Sequence, residues 1–546
     1  MDPNWVESAL EQFLQIFTQR LADVTGGAKG IDNQQVATRQ LAQLATALEA
    51  ARSLQTYADN HPENGREQQQ LIARLCWHES LLAARSTADR FHRSLQLEEG
   101  DLDSTETTRR LRNFDSEEAY REIGAALVAD GMELAPYLPD DEPLIQDLLA
   151  TTRRFAQKQV LPVAQEIHRR DLLVPETIVS GMAELGLFGA SIPEQYGGVG
   201  LGNLPMILIT EELSAASLPA AGSLITRPEV LAKALLVGGT EEQKIRLLPP
   251  VAQGELMVAV AVTEPDTGSD VAHLRCQATQ GEIDGKAGWL ISGSKAWCTF
   301  SGRADLLALL VRTEPDSAVG HRGLSLFVVE KESFTGHEFT INQPEGGRLT
   351  GKADDTMGYR GMHSFTLYFE NYFVPAENLI GGEAGLGKGF YFQMAGFAGG
   401  RLQTGGRAIG LARASLQAAL DYSLQRKQFG QPLANFQNSH YQLGKMMVEL
   451  QAARQLTYRA ARAMDDGGQQ AELLAGMAKL RACRVAVEVS QAAQLMHGGW
   501  GYAEEFPIAR YVADALVLPI FEGVEPILEM KVIGRQLLLN AATASQ

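Results

Sequence analysis

The residues with most chemistry to offer lie near the C-terminus. In Leu518-Pro519-Ile520-Phe521-Glu522-Gly523 a single carboxylate follows an apolar run and an aromatic ring and precedes a glycine. Apolar walls disfavour the charged form, so the setting predicts a raised pKa, which suits a general base. Gly523 lets a backbone N–H come close to a ligand. A lone Glu in such a setting more often starts a helix, so the reading depends on the rest of the chain. Val262-Thr263-Glu264-Pro265-Asp266-Thr267-Gly268-Ser269-Asp270 gathers hydroxyls, a proline and a glycine in one loop after an apolar run. Such a loop can offer N–H groups and hydroxyls to a planar polar ligand or an anion; the plainer reading is a well-capped turn. In Trp297-Cys298-Thr299 the Trp and Thr share one face of a strand. They pair an aromatic wall with a hydroxyl, which suits a ring system; the plainer reading is a Trp at a core edge.

Three further segments make the pattern specific. They are Arg426-Lys427-Gln428-Phe429-Gly430 with Gln437, His497-Gly498-Gly499-Trp500-Gly501-Tyr502, and Arg510 to Asp514 ahead of Ile520-Phe521-Glu522-Gly523. In this order, over roughly residues 143–540, the five segments resemble those of the acyl-CoA dehydrogenase family. The resemblance implies a mainly α fold with a β middle domain: an α domain, a β-barrel or sandwich, and a four-helix domain around FAD. It implies removal of two hydrogens from a CoA thioester, with Glu522 taking the α-proton and flavin N5 the β-hydride. It places Val262, Thr263, Gly268, Ser269, Trp297, Cys298 and Thr299 against the flavin, with Ser269 also near the thioester arm. Arg426, Phe429, Gln437, Gly498 and Gly499 would serve the dinucleotide, Arg426 and Phe429 that of a neighbouring subunit, so a homodimer or homotetramer is expected. Arg401 would lie near the CoA moiety, and the Gly523 region near the substrate. Electron-transfer flavoprotein is the implied acceptor. Two departures stand out: Val524-Glu525-Pro526 follows Gly523 where a small hydroxyl residue is usual, and Leu495 replaces a common Gln, with Gln494 one place early.

The substrate expectation rests on two features. One is an extra N-terminal block, residues 1–138. The other is Phe397-Ala398-Gly399-Gly400-Arg401-Leu402-Gln403-Thr404 with Arg407 beyond it. Together they resemble the part of the family that oxidises a short branched dicarboxylyl-CoA, so (2S)-methylsuccinyl-CoA giving mesaconyl-CoA is expected. A short- or medium-chain or other branched acyl-CoA is the alternative. A free carboxylate near the reacting carbons needs a cation or several donors, and Arg401, Arg407 and Arg360 are candidates.

Composition narrows the classes. A net charge of −18 disfavours a nucleic-acid binder built on this fold. Glu522 argues against a flavin monooxygenase of this type, which usually lacks that carboxylate. An oxidase on the same fold and a non-catalytic binding protein are the remaining rivals, and the latter would carry no flavin. Cys76, Cys276, Cys298 and Cys483 are far apart and show no metal spacing, as expected of a reduced cytoplasmic protein. Met1-Asp2-Pro3-Asn4-Trp5 has no basic or long apolar character, so no secretory signal is expected, and no run is long enough to span a bilayer.

The elements that must hold these residues are legible in outline. Val6, Leu10, Phe13, Phe17 and Leu21 recur at helical spacing, followed by Leu41, Leu44, Leu48 and Leu54, and by Leu71, Leu75, Leu81 and Leu82 after a breaker at 60–65. Leu144, Leu148, Phe155, Leu161 and Ala164 suit one helix face. Strands are expected at 258–262, 289–291, 306–311, 324–329 and 365–369, and helices from about 375 onward, with Leu416, Leu420 and Leu424 on one face. A proline-flanked acidic stretch at 137–143 marks a boundary. The expected domains are 1–138, a helical extension; 139–257, helical; 258–374, β; and 375–546, a four-helix domain. The extension is expected to cap the acyl pocket.

Overall fold

The computed structural model describes residues 1–98, 100–130, 134, 143–344 and 346–544. The boundary expected at 137–143 therefore lies, up to residue 142, outside the described residues. Helices α1 (Pro3–Thr25), α2 (Gln35–Asn60), α3 (Glu63–Phe91), α4 (Ser104–Arg112) and α5 (Ser116–Asp130) come first. They are followed by α6 (Pro143–Phe155), α7 (Leu161–Arg170), α8 (Glu176–Glu184), α9 (Asn203–Ala216), α10 (Thr226–Gly238) and α11 (Glu241–Ala252). Next come β1 (Val258–Ala261), β2 (Gln277–Ile283), β3 (Lys286–Thr299), β4 (Leu306–Arg312), β5 (Leu324–Glu330), β6 (Glu338–Asn342), β7 (Arg348–Ala353) and β8 (Ser364–Pro375). Helices α12 (Gly389–Gln425), α13 (Gln437–Asp465), α14 (Ala471–His497), α15 (Pro507–Ala515), α16 (Glu525–Ile527) and α17 (Arg535–Ala544) complete the order. The chain forms two compact units, Asp140–Gln403 and a second made of Met1–Pro139 with Thr404–Gln546.

In the second of these units the N-terminal helices are built into the C-terminal ones. Helix α1 starts where the Asp2 side chain accepts the Asn4 N–H and stops at Gly26, which is left-handed at φ 64°. Its stripe Val6, Leu10, Phe13, Phe17 and Leu21 is buried, as the spacing predicts. On α3 Leu75 and Leu81 are buried, but Leu82, one residue round the helix, faces out. Helix α5 lies along α13, and two glycines permit it. A Cβ on Gly124 would strike the His440 carbonyl, and one on Gly444 the Tyr120 carbonyl.

Charge fixes α2 to a π-helical stretch, Leu528–Gly534. There Glu529 is fully buried and accepts from Arg39, from Gln43 at 2.7 Å and from Arg484 at 2.5 Å. Nearby, Lys531 pairs with Asp32 at 2.5 Å, and on α13 Arg459 pairs with Glu49 at 2.8 Å.

The other unit carries the sheet, in the order β1-β4-β2-β3-β8-β7-β6, with β5 beside β4. Strands β4 and β5 are buried along almost their whole length, which is why they read as continuous apolar runs. Strands β2, β6 and β7, absent from the sequence expectation, expose most of their alternate residues and carry Gln, Glu, Thr, Lys and Arg. The helical face expected from Leu144 to Ala164 is broken. A π-helical turn at Ala156–Val160 adds a residue between α6 and α7, so Leu161 points outward, as does Leu144 on the first turn. The buried line is Leu149, Thr152, Phe155, Ala156 and Val160.

Glu529→Ala should take from Arg39 and Arg484 the carboxylate they share, leaving Arg484 with Glu525 alone. Both keep part of their surface in water, so the expected cost is about 2–3 kcal/mol, read as a lower urea midpoint at pH 7. An unchanged midpoint would show that this node does not secure the N-terminal helices.

Candidate active site

In the unit formed by residues 140–403, the two candidate ligand loops are brought together by a buried ion pair. Lys295 is wholly buried on β3, and its Nζ donates to the Val262 carbonyl and to Glu264 Oε1, each at 2.9 Å. Glu264 in turn accepts the Cys276 and Arg275 N–H groups on its two oxygens, both at 2.8 Å. The Ala296 N–H closes the joint on the Thr263 carbonyl at 2.8 Å. The acid of the Thr-Glu-Pro loop is thus a clamp, with no role toward solvent.

Beside the clamp, the β3–β8 ladder slips between Lys295 and Cys298. A bulge of this kind re-aims side chains. Trp297 lies in the left-handed region at φ 59° and is 60% exposed, while Lys295 and Cys298 on either side are buried. The strand therefore presents a bare indole face. Thr299 is buried, its hydroxyl 3.0 Å from that of Ser364. Gly268 and Ser269 are exposed at the loop tip and Thr263 is half-buried. Val262 and Cys298 turn their side chains to the core, and burial pushes the Cys298 thiol up to about 12. Only their backbone could meet a ligand.

Arg401 is half-buried on α12. The small residues before it serve packing: Gly396 lies against the Val230 backbone and Gly399 against the Lys233 side chain. Gln403 is buried and shared between Glu229 and the Thr210 hydroxyl, each at 2.5 Å. Arg360 donates to the carbonyls of Thr356 and His168, at 3.1 and 3.0 Å.

In the unit formed by 1–139 and 404–546, Glu522 is half-buried with φ 54°, and Gly523 follows at φ 98°. Left-handed backbone at a non-glycine residue is strained and is found at sites where a side chain must be aimed. Two buried cations hold this turn. Lys479, from α14, donates Nζ to the Gly523 carbonyl at 2.7 Å. The Arg407 guanidinium, from α12, lies 4.6 Å from the centre of the Phe521 ring and donates to the Thr404 hydroxyl at 2.7 Å. The sequence setting suggests apolar walls; the structure adds positive charge, supplied from helices remote in sequence. A Cβ at Gly523, Gly498 or Gly499 would meet nothing within 4 Å, so all three leave room for a ligand.

The dinucleotide candidates of this unit lie on connections. Arg426, Phe429 and Gln437 are exposed between α12 and the start of α13, Phe429 at 93% and φ 51°. His497 is buried, stacked on Tyr422 at 4.3 Å between ring centres, with Nδ1 2.7 Å from the Ala493 carbonyl; burial lowers its pKa. Gln494, displaced by one place, donates to the Gly501 carbonyl at 3.0 Å and so braces the glycine turn, while Leu495 is exposed. Glu525 pairs with Arg484 at 2.7 Å. Arg510 and Asp514 are both buried, one turn apart on α15. Sequence reasoning missed Lys295 and Lys479. Each is a lysine in an otherwise ordinary stretch, and its only signal is a partner far along the chain.

The described elements after the N-terminal helices run helical, then β, then helical. The chain belongs to the acyl-CoA dehydrogenase family: its N-terminal, middle and C-terminal domain models match residues 143–255, 259–372 and 387–538. It is 37% identical to (2S)-methylsuccinyl-CoA dehydrogenase of Cereibacter sphaeroides, over 98% of this chain and 96% of that one. Butyryl-CoA dehydrogenase of Megasphaera elsdenii superposes with a TM-score of 0.66 at 32% identity, covering 74% of this chain and 99% of that one. A chain in a structure of the Acidaminococcus fermentans electron transferring flavoprotein superposes at 0.65 and 31% identity, over 75% and 99%. The protein is an oxidoreductase acting on the CH–CH group of acyl-CoA thioesters, in a family of flavoproteins. Among the described residues no helix is long and apolar enough to cross a membrane.

Lys295→Met should strand a buried carboxylate and release the Val262 carbonyl. The expected cost is about 3–5 kcal/mol, seen as a lower midpoint of thermal unfolding. An unchanged midpoint would show that the clamp does not secure these loops.

Proposed function

We propose that the chain oxidises (2S)-methylsuccinyl-CoA to mesaconyl-CoA, with Glu522 as the base and FAD as cofactor. FAD, when bound, supplies the acceptor for the β-hydride. The residues present suit it: the exposed Trp297 face with the Thr299 and Thr263 hydroxyls for the ring system, and the open Gly498-Gly499 turn for the dinucleotide. Glu522 takes the α-proton. A thioester α-proton becomes acidic only as charge on the carbonyl oxygen is stabilised. The Glu522 N–H is the donor assigned to that oxygen, and Lys479 holds the turn in the conformation that presents it.

The observation that carries the dicarboxylyl reading is Arg407, a buried guanidinium stacked on the residue before the base. A substrate with a second carboxylate needs such a cation nearby. The full-length match to the Cereibacter sphaeroides enzyme supports it, because that match includes the N-terminal helices, which the shorter relative lacks. Residues 139–257, 258–374 and 375–546 are assigned as the three family domains, and 1–138 as a specificity extension. Phe429, bare and strained in this chain, supports self-association in which Arg426, Phe429 and Gln437 serve a neighbour's dinucleotide. Electron-transfer flavoprotein is the assigned acceptor. Four buried free cysteines suit a reduced, cytoplasmic setting.

Anaerobic titration of the flavin band near about 450 nm tests the reading. Bleaching by (2S)-methylsuccinyl-CoA, and little by butyryl- or octanoyl-CoA, is expected; the reverse order would assign a monocarboxylic substrate. Glu522→Gln should keep flavin and ligand binding and lose about a hundredfold to ten-thousandfold in turnover. Near-normal turnover would place the base elsewhere. Arg407→Met should raise KM for the dicarboxylyl thioester far more than for butyryl-CoA; equal effects on both would remove Arg407 from carboxylate recognition.

A further inference from the structure

We propose that Asp171, His337 and His363 form a binding site for a divalent transition-metal ion, Zn2+ by preference, separate from the residues assigned to the acyl-CoA reaction. All three belong to the unit of residues 140–403. Asp171 is the first residue after α7, His337 immediately precedes β6 and His363 immediately precedes β8. His363 Nε2 lies 3.0 Å from Asp171 Oδ1 and 3.1 Å from His337 Nε2. The three ligand atoms lie within 4.8 Å of one another. Zinc bonds of about 2.0–2.1 Å at tetrahedral angles place ligand atoms roughly 3.3 Å apart. Two edges of that tetrahedron are therefore nearly formed, and the third closes by a small rotation of the exposed His337 ring.

Proton bookkeeping points the same way. His363 Nε2 carries either one N–H or one lone pair, yet it faces both a carboxylate oxygen and a second ring nitrogen. A single proton can point well at only one of them. A cation satisfies all three atoms at once, and two imidazoles with one carboxylate suit zinc. Arg360 brings a positive charge close to the site. Arg360 Nε is 3.6 Å from Asp171 Oδ1, beyond hydrogen-bond length, and its guanidinium donates to the Thr356 and His168 carbonyls instead. The carboxylate is left able to ligate, while the nearby positive charge keeps the affinity in the micromolar range.

The site is also held ready. Asp171 and His363 both adopt left-handed backbone, at φ 52° and 46°. The Val174 N–H donates to the Gly361 carbonyl at 3.0 Å and fastens the same two segments together. His363 is buried, Asp171 half-exposed and His337 exposed, so an ion enters from solvent and keeps water as its fourth ligand. Its effect is to clip the end of α7 to the turns that launch β6 and β8.

The test uses the full-length chain, stripped with a chelator and titrated with ZnCl2 by calorimetry, with thermal unfolding alongside. One zinc per chain at micromolar affinity and a rise of several degrees in the unfolding midpoint are expected. His337→Ala and Asp171→Asn, each with unchanged far-UV circular dichroism, should weaken binding about tenfold or more and abolish the rise. Absence of stoichiometric uptake by the unmodified chain overturns the proposal, as does undiminished uptake in both variants.

Discussion

Glu264 and Lys295 are a carboxylate and an ammonium buried together, and the ligand-facing part of the β unit depends on them. Each ion alone would be costly to remove from water, so their contact is not a large source of net stability. What it supplies is register. Glu264 takes two backbone N–H groups at the entrance to β2, and Lys295 takes the last carbonyl of the preceding apolar run. With those three points fixed, the β3 bulge cannot slide, and the indole of Trp297 stands outside the sheet. The same device recurs in the helical unit. Lys479 holds the carbonyl next to Glu522, and Glu529 gathers two arginines and a glutamine from helices far apart in the chain.

Strained backbone accompanies these clamps. Trp297, Phe300, Phe429 and Glu522 all have positive φ without being glycine. Such conformations cost of order 1–3 kcal/mol each and persist where the surroundings over-determine them. At Trp297 and Glu522 the surroundings include buried charged side chains, whose contacts fix the backbone on either side.

Much of this architecture was legible in the chain itself. The Val6-to-Leu21 stripe and the apolar runs of β4 and β5 announce themselves because burial on one helix face or both sheet faces leaves a periodic record. Strands β2, β6 and β7 leave none, since their solvent-facing residues are as polar as a loop's. The π-helical turn at 156–160 was invisible because it changes phase without changing composition. Ordered motifs made the family readable. The clamps were not, because a lysine's burial is decided by partners tens of residues away, and nothing local distinguishes Lys295 from a surface lysine on an alternating strand.

The N-terminal helices form one compact unit with the segment Thr404–Gln546. During synthesis they leave the ribosome first, and all of residues 140–403 must be made before any of their C-terminal partners exists. At about 5–20 residues per second the wait is roughly 15–50 s. Throughout it the apolar faces that α2 and α5 later lay against α13 have nothing of their own chain to cover them. Folding of this unit therefore waits on the last part of the chain to be made.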